Sequence, residues 1–390
     1  MDTPELRVYC KLEKELRMMI GSGFMPDFHR LRSETWLAAK YGISRGSVRR
    51  ALDHLENDGL LTRRRGSGTY VAPQSVRKEG REWHLGGKTI LYLSFSSLYS
   101  RQTFTELTTF HNVYDGFMEI LPKNGYGFRC AHVGTDWKVP PELSDPGVAG
   151  VIFEGVVPLD FFRRCLADKP SVGVNCFDPE LPCSWVLEDS RGIAEAEVGY
   201  LYRMGYRRIA ILSDECSTPP IREAFLGYCT GLRQAGLPFR EDFVIFWDRR
   251  RVNGELCSET LDRPSFKPHL AEIFSREDHP DAVICQDPYR AECTREALAS
   301  WGLRVPDDIG ILCRTSPRRS RKRRSALEYS GFYARKVEVL AEAARQLIDE
   351  IENRAPIKRR VTYLAPEFVP GMSVRNMQAD PEHRKSEVKP

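Results

Sequence analysis

The sequence lacks long hydrophobic runs, paired-cysteine patterns and a strong overall charge. No apolar run approaches the roughly 20 residues that a membrane-spanning helix needs, and the charged residues 1–5 lack the apolar segment of a signal peptide. The 11 cysteines include no C-x-x-C pair, and neither they nor the 8 histidines form a cluster at zinc spacing. We therefore expect a cytoplasmic protein with reduced, mostly buried thiols, no metal site and no cofactor.

The positive charge of the chain is concentrated at its N-terminus. Over 390 residues, 58 Lys+Arg stand against 54 Asp+Glu, which gives a net charge of +4. Residues 1–86 hold 16 basic and 11 acidic residues, so the remaining chain is close to neutral. The length is enough for two or three domains, of which the first is the basic one.

Apolar spacing predicts three helices in the first 60 residues. The first stripe recurs at three- and four-residue intervals and ends at Gly21 or Gly23. A second, short helix fits residues 33–41, with Ser33 as its N-cap. Ser44 caps a third helix after only a short turn, and two helices joined this closely make a helix-turn-helix. The first stripe consists of Leu6, Tyr9, Leu12, Leu16, Met19 and Ile20.

Two short strands, at 60–62 and 69–71, follow the third helix and are joined by the arginine- and glycine-rich tip RRRGSG. This arrangement is a winged helix-turn-helix. It resembles the DNA-binding domain of the GntR family of bacterial regulators, through LAAKYGISRGSVRRAL at 37–52, DGL at 58–60 and GSGTYV at 66–71. The resemblance covers nearly all of residues 5–73.

The resemblance implies a recognition helix whose first turn enters the major groove of DNA. Arg45 and Arg49 lie one turn apart on it and are implied to contact bases, since an arginine fork can hold a guanine edge. Ser44 and Ser47 are implied to donate to a phosphate at the helix N-terminus, where the helix dipole favours an anion.

Arg65 and Gly66 match the wing tip that reaches the minor groove in the family. Elsewhere the chain departs from the family pattern. Pro26-Asp27 replaces the usual Pro-Gly, Leu31-Arg32 replaces Leu-Pro, and bulky Trp36 stands where a charge is common. We count Arg32 among the DNA-binding candidates and expect a different base preference.

The polar composition of residues 74–88 predicts an exposed linker, and that of residues 378–390 predicts a disordered tail. Between them, at 89–377, short apolar runs alternate with helical patterns, as in buried strands of parallel sheets. Four helices of this part end in a glycine that is expected to cap them before a return strand, at Gly125, Gly205, Gly236 and Gly302. The expected strands lie at 90–93, 148–153, 172–174, 209–212, 282–285 and 309–312.

This second part resembles the effector domain of the LacI/GalR regulators, which is similar to periplasmic sugar-binding proteins. The implied fold is α/β, with two subdomains that have parallel sheets and surround a cleft. The resemblance runs through roughly residues 89–375. It is carried by five short motifs, which are specific together because of their order and spacing. These are EDSRG at 188–192, MGYRRIA at 204–210, IREAF at 221–225, DAVICQD at 281–287 and GLRVPDDI at 302–309.

The resemblance implies a small-molecule effector, a sugar or sugar derivative, bound in the cleft. Arg222 and Asp287 match two family positions that contact ligand. An arginine supplies paired donors, and an aspartate accepts from neighbouring hydroxyl groups. Tyr99 and Phe104, in the loop after the first strand, and Glu154, after the strand at 148–153, are expected to line the other side.

The effector site also departs from the family pattern. Gln286 stands where an asparagine is usual, and Arg314 lies in Cys313-Arg314-Thr315, where the family tends to have an aspartate. Arg314 is therefore a further ligand candidate, suited to an anion. The basic run RRSRKRR at 318–324 is open to three interpretations: a solvated loop, a second DNA contact or a rim that selects an anionic ligand.

Two strings resemble enzyme motifs but lack their context. GISRG at 42–46 has the G-x-S-x-G pattern of hydrolases, yet its serine lies between two predicted helices rather than after a strand. GKT at 87–89 resembles the end of a phosphate-binding loop, but Glu82 stands where the first glycine should be. We therefore do not expect an enzyme.

The leading hypothesis is a ligand-responsive transcription regulator, a repressor that binds a two-fold symmetric DNA operator as a homodimer. In this hypothesis, the effector closes the cleft and changes the spacing of the two winged helices. Two alternatives remain: a constitutive DNA-binding factor whose altered cleft binds nothing, and a sugar-modifying enzyme tethered to DNA.

Overall fold

The structure is a computed structural model that describes residues 4–73, 88–95, 107–118, 120–214, 218–247, 251–252, 255–256, 267–314, 327–333, 335–353 and 359–379. The predicted linker before Lys88, the basic run at 318–324 and most of the predicted tail lie outside these residues. The chain divides into two compact units. Unit 1 comprises Met1–Val172, Glu180–Cys183 and Leu340–Lys358, and unit 2 comprises Gly173–Pro179, Ser184–Val339 and Arg359–Pro390.

The first part of unit 1 is the winged helix. Its helices are α1 (Pro4–Gly21), α2 (Glu34–Tyr41) and α3 (Arg45–Asn57). The wing is an antiparallel pair, β1 (Leu61–Arg64) and β2 (Gly68–Val71). The three predicted helices and the predicted hairpin are confirmed.

Local capping explains where α2 and α3 begin. The Ser33 hydroxyl oxygen accepts a hydrogen bond from the Trp36 N–H at 3.2 Å, and the Ser44 hydroxyl oxygen accepts one from the Ser47 N–H at 3.1 Å. Apolar residues of the three helices and the wing then form one buried core, which includes Leu12, Leu16, Met19, Leu37, Val48, Leu52, Leu55 and Val71.

The rest of unit 1 is α/β. Strand β3 (Lys88–Phe95) pairs in parallel with β4 (Tyr126–Val133) on one side and with β5 (Val148–Glu154) on the other. In chain order, helix α4 (Leu107–Met118) lies between β3 and β4, and helix α5 (Leu159–Cys165) follows β5. The predicted strands at 90–93 and 148–153 are confirmed, and both are almost completely buried.

Strand β6 (Ser171–Val174) crosses the division between the units. Unit 2 continues with β7 (Ser184–Glu188), which runs directly into α6 (Ser190–Arg203). The later strand β15 (Val361–Leu364) pairs in parallel with β7.

A four-stranded parallel sheet forms the centre of unit 2, in the order β13-β12-β8-β9. Its strands are β8 (Ile209–Asp214), β9 (Val244–Trp247), β12 (Ala282–Cys285) and β13 (Gly310–Cys313). The helices around it are α7 (Pro219–Gln234), α8 (Lys267–Phe274) and α9 (Pro288–Ser300). The predicted strands at 209–212, 282–285 and 309–312 are confirmed.

Smaller elements complete the described fold. The two-residue strands β10 (Arg251–Val252) and β11 (Glu255–Leu256) pair antiparallel. The two-residue strands β14 (Gly331–Phe332) and β16 (Phe368–Val369) also pair antiparallel. Helix α10 (Lys336–Asn353) crosses the division between the units. The four predicted capping glycines all have a positive backbone φ, between +67° at Gly236 and +99° at Gly205. Within the part of the chain that the structure describes, no helix has both the length and the apolar character needed to cross a membrane.

Candidate DNA-binding and effector sites

The first two turns of α3 present two exposed guanidinium groups. The side chains of Arg45 and Arg49 are 64% and 58% exposed. Both approach the carboxylate of Glu34 on α2, whose Oε2 lies 3.0 Å from Nη2 of Arg49 and 3.9 Å from Nη2 of Arg45. Hydrogen bonding to Glu34 raises the pKa of Arg49 above its ordinary value. The two arginines therefore share one carboxylate partner, Glu34, which the sequence did not indicate.

The two predicted serines lie together at the N-terminus of α3. The hydroxyl oxygens of Ser44 and Ser47 are 2.9 Å apart. The Ser44 oxygen also accepts from the Ser47 N–H, so it supports the helix terminus itself. Both side chains lie at the N-terminus of α3, the positive end of the helix dipole, where an anion is favoured.

The three arginines of the wing have different surroundings. Arg63 pairs with Glu56 at 3.2 Å and with Asp53, both on α3. Arg64 stacks over the ring of Tyr70, 5.0 Å from its centroid. Arg65 is exposed at the tip and makes no ion pair with any described residue, and the neighbouring Gly66 is also exposed. Of the three wing arginines, Arg65, which was predicted to lie at the wing tip, is thus the one whose guanidinium group faces solvent.

Trp36, which departs from the family pattern, has two cationic side chains near its ring. The guanidinium carbon of Arg32 lies 5.6 Å from the Trp36 ring centroid, and the ammonium nitrogen of Lys40 lies 5.9 Å from it. The ring is 41% exposed. Cation–π attraction of this kind restrains long basic side chains. Arg32 is therefore held at the start of α2 as part of a basic, aromatic surface.

In unit 2, polar groups gather at the carboxyl ends of the central strands. Gln286, after β12, donates from its amide nitrogen to the Ser213 hydroxyl on β8 at 2.9 Å. Arg314, after β13, donates from its backbone N–H to the Cys285 carbonyl at 3.2 Å, and from Nη2 to the Ser190 carbonyl at 3.3 Å. Carboxyl ends of parallel strands are where α/β folds place their ligands.

Asp287 is the N-cap residue of helix α9. Its carboxylate accepts from the Arg290 N–H at 2.9 Å, which caps α9, and forms an ion pair with the largely buried Arg290 guanidinium. The Asp287 side chain is still 37% exposed, so part of it can reach a ligand. Arg222 lies near the start of α7 and is exposed, with its N–H bonded to the Thr218 carbonyl at 3.1 Å.

Glu154 belongs to unit 1, at the end of β5. It is only 5% exposed, and its Oε2 accepts a hydrogen bond from the Tyr92 hydroxyl at 2.6 Å. Tyr92 lies on the neighbouring strand β3. Tyr99 and Phe104, the two effector candidates predicted together with Glu154, lie outside the described residues.

Glu197 is a buried carboxyl group that sequence reasoning missed. It lies on α6 and is 1% exposed, and its Oε1 has no hydrogen-bond partner among the described residues. Burial raises the pKa of Glu197 to about 7, with Arg314 acting against the shift and Glu188 adding to it. Near neutral pH this group is therefore divided between a neutral and a charged form.

The raised pKa of Glu197 predicts pH-dependent stability. A carboxyl group whose pKa is higher in the folded state contributes stability that is fully present below its unfolded pKa, near 4.5, and is lost as the pH rises through about 7. The loss is of the order of 2–3 kcal/mol, since one pKa unit corresponds to about 1.4 kcal/mol. In Glu197→Gln we expect this loss to disappear, measured as the change in the free energy of urea unfolding between pH 5 and pH 8.

Glu195→Gln is the matched control, because Glu195 lies on the same helix but pairs at the surface with Arg191. It should keep the wild-type difference between pH 5 and pH 8. An equal pH dependence in wild type and Glu197→Gln would show that Glu197 does not titrate in this range.

The similarities to known proteins define a class for this chain: a DNA-binding transcription regulator with an α/β effector domain. Residues 8–71 match the family model of bacterial regulatory proteins of the gntR family, and residues 198–374 match a periplasmic binding protein-like domain. The N-terminal module is thus a GntR-family helix-turn-helix domain, and a periplasmic-binding-protein-like domain follows it.

The chain is similar to transcription repressors and regulators of known name. The chain is 24% identical to an arabinose metabolism transcriptional repressor of Geobacillus stearothermophilus, over 80% of this chain and 83% of that protein. It is 20% identical to a repressor of the same name from Halalkalibacterium halodurans, over 98% and 99%. A LacI family regulator from Enterococcus faecium, solved with bound ribose, superposes with a TM-score of 0.58 at 17% identity, over 74% of this chain and 99% of that one.

Proposed function

We propose that this protein is a cytoplasmic repressor of sugar-metabolism genes, which binds a two-fold symmetric operator as a homodimer and is released by a sugar. The observation that carries the proposal is the pair of exposed arginines on the first two turns of α3, gathered by Glu34. Arg32, Ser44, Ser47, Arg65 and Gly66 complete the proposed DNA-binding set. Paired guanidinium groups at the start of a recognition helix suit guanine edges in the major groove.

Two lines of support favour a sugar as the effector. The similar full-length proteins are repressors of arabinose metabolism, and the similar solved regulator holds ribose. In unit 2, Arg222, Asp287 and Arg314 offer donors and an acceptor of the kind that binds hydroxyl groups. We propose these three residues as effector ligands, together with Tyr99, Phe104 and Glu154.

The proposal is tested by measuring the affinity of the full chain for DNA with and without sugars. An operator is first selected from random duplex DNA, and its Kd is then measured by fluorescence anisotropy with L-arabinose, D-ribose, cellobiose and a sugar phosphate. We expect one neutral sugar to raise the operator Kd by about 5- to 150-fold, the usual range of such coupling. Equal Kd values with every sugar would favour the constitutive DNA-binding alternative.

Arg222→Ala separates sugar binding from DNA binding. Arg222 is exposed and supports no described ion pair, so we expect the variant to fold, to bind the operator normally and to need at least about tenfold more sugar for release. Arg233→Ala is the control, since Arg233 is exposed at the opposite end of the same helix. A normal sugar response in Arg222→Ala would remove Arg222 from the effector site.

A further inference from the structure

Strand β4 in unit 1 has one side that no described strand covers. It ends the strand order of its sheet, and β3 is its partner on the other side. On the open side, the Cys130 N–H donates a hydrogen bond to the carbonyl of Ser22, at 2.7 Å. Ser22 belongs to the turn that follows α1, so the winged helix is joined to this edge by a backbone contact.

The turn approaches β4 too closely for a side chain. Gly23 has a φ of +79°, and a Cβ atom built on it would lie 2.8 Å from the Cys130 carbonyl oxygen. Ser22 and Phe24 on either side are 2% and 0% exposed. The N–H and C=O of Cys130 are therefore both covered by Ser22 and Gly23.

The turn is firmly connected to the recognition helix. Helix α1 packs against α3, and Nη2 of Arg17 on α1 pairs at 2.5 Å with Asp58, which ends α3. The Tyr41 hydroxyl at the end of α2 donates to the buried Glu15 of α1 at 2.6 Å. A displacement of the turn would therefore move α1, α2 and α3 together.

On the other side, the same edge is connected to Glu154. Cys130 is the register partner of Tyr92 on β3, and the Tyr92 hydroxyl donates to Glu154 at 2.6 Å. Glu154 is one of the proposed effector ligands. A continuous series of packed and hydrogen-bonded groups thus runs inside unit 1 from Glu154 to the turn after α1 of the winged helix.

We propose that the Ser22–Gly23 turn docks the winged helix on the edge of β4, and that this contact carries the effector signal from Glu154 through Tyr92 and Cys130 to α3. The docking stands on the contact alone, whereas the signalling role rests on the proposed function. The docking holds the DNA-binding module by a contact that does not involve the predicted linker at 74–88.

The docking is tested by hydrogen exchange of the full chain without any ligand. In Gly23→Ala the methyl group forces the turn off β4, and we expect the Cys130 amide to exchange at least about tenfold faster than in wild type, since its acceptor is lost. Gly125→Ala is the matched control. Its φ of +76° imposes the same backbone strain, but no atom lies within 4 Å of the added Cβ. Equal exchange in Gly23→Ala and wild type would overturn the docking.

The signalling role is tested with L-arabinose and D-ribose as probes, by the ratio of operator Kd values with and without sugar. We expect Gly23→Ala to bind a single half-site normally but to lose most of this ratio, and Gly125→Ala to keep it. Tyr92→Phe, which removes only the hydrogen bond to Glu154, should keep the slow Cys130 exchange and lower the ratio.

An intact ratio in Gly23→Ala, with faster Cys130 exchange, would overturn the signalling role. A wild-type chain that ignores both sugars would contradict the proposed function and the signalling role together. The exchange comparison would still decide the docking in that case.

Discussion

Alanine at both Arg45 and Arg49 is expected to abolish sequence-specific DNA binding. Each bidentate arginine–guanine contact is worth about 1–3 kcal/mol of discrimination, so the double variant should lose at least about 30-fold in operator affinity. The loss of Arg49 also leaves the Glu34 carboxylate without its 3.0 Å partner, facing DNA phosphates of like charge. The measurement is the operator Kd relative to that of a scrambled duplex of equal length, at one salt concentration.

Arg50→Ala is the matched control for this prediction. Arg50 is the next exposed arginine of α3 and lies on a different face from the Arg45–Arg49 pair. Its replacement by alanine removes one positive charge, whereas the double variant removes two. Arg50→Ala should lower the affinity for operator and scrambled DNA equally and only slightly. If the Arg45 and Arg49 double variant behaved like Arg50→Ala, α3 would not be the reading helix.

Gly227→Ala is expected to destabilise unit 2 strongly. A Cβ at Gly227 on α7 would lie 2.2 Å from the Arg191 carbonyl oxygen and 2.9 Å from the Ala194 Cβ, both on α6. The contact is with backbone, so α6 and α7 must separate to admit the methyl group. Overpacking of this kind costs about 3 kcal/mol. In a unit of this size, that lowers Tm by roughly 6–12 °C, which differential scanning calorimetry resolves.

The control for this effect is a second helical glycine. Gly199 lies on α6, and an added Cβ would meet only the flexible end of Arg203, at 3.4 Å. Gly199→Ala should therefore be neutral or stabilise the protein by up to about 1 kcal/mol, because alanine is the better helix former. A similar fall in Tm for both variants would mean that helix spacing is not the cause.

The winged helix could be predicted almost completely because its signals are local. Ser33 and Ser44 cap their helices with their own hydroxyl groups, and Gly42 stops α2 with a φ of +63°. Each of these interactions lies within a few residues of chain. The strands at 209–212, 282–285 and 309–312 could be predicted for a different reason: they are buried on both faces and read as continuous apolar runs.

Other strands could not be predicted, because their environment depends on distant residues. Strand β7 begins with Ser184, and its Trp185 is 1% exposed. The ring fits because Gly173 on β6 has no side chain: a Cβ there would lie 2.4 Å from it. Nothing within the sequence SWVLE indicates that space.

The helices and the wing that carry the candidate DNA-binding residues could be predicted from the sequence, but the partners of these residues could not. Three consecutive arginines on the wing look equivalent in the sequence, yet Arg63 and Arg64 bind their own domain and Arg65 does not do so among the described residues. Glu34 and Glu197 read as ordinary helical carboxylates. Only the packing of α2 on α3, and the burial of α6, gives them their roles.

The Glu34 carboxylate provides the free protein with an internal substitute for a phosphate. On the proposed DNA-binding role of Arg49, we expect DNA to displace Glu34 from Arg49, and a duplex that offers phosphates but no matching base edge has nothing to offset that loss. We therefore expect Glu34 to weaken non-specific association with DNA more than operator binding. A guanidinium that already has a counter-charge also contributes less to counterion release, so the salt dependence of DNA binding should be shallower than the number of exposed arginines would suggest.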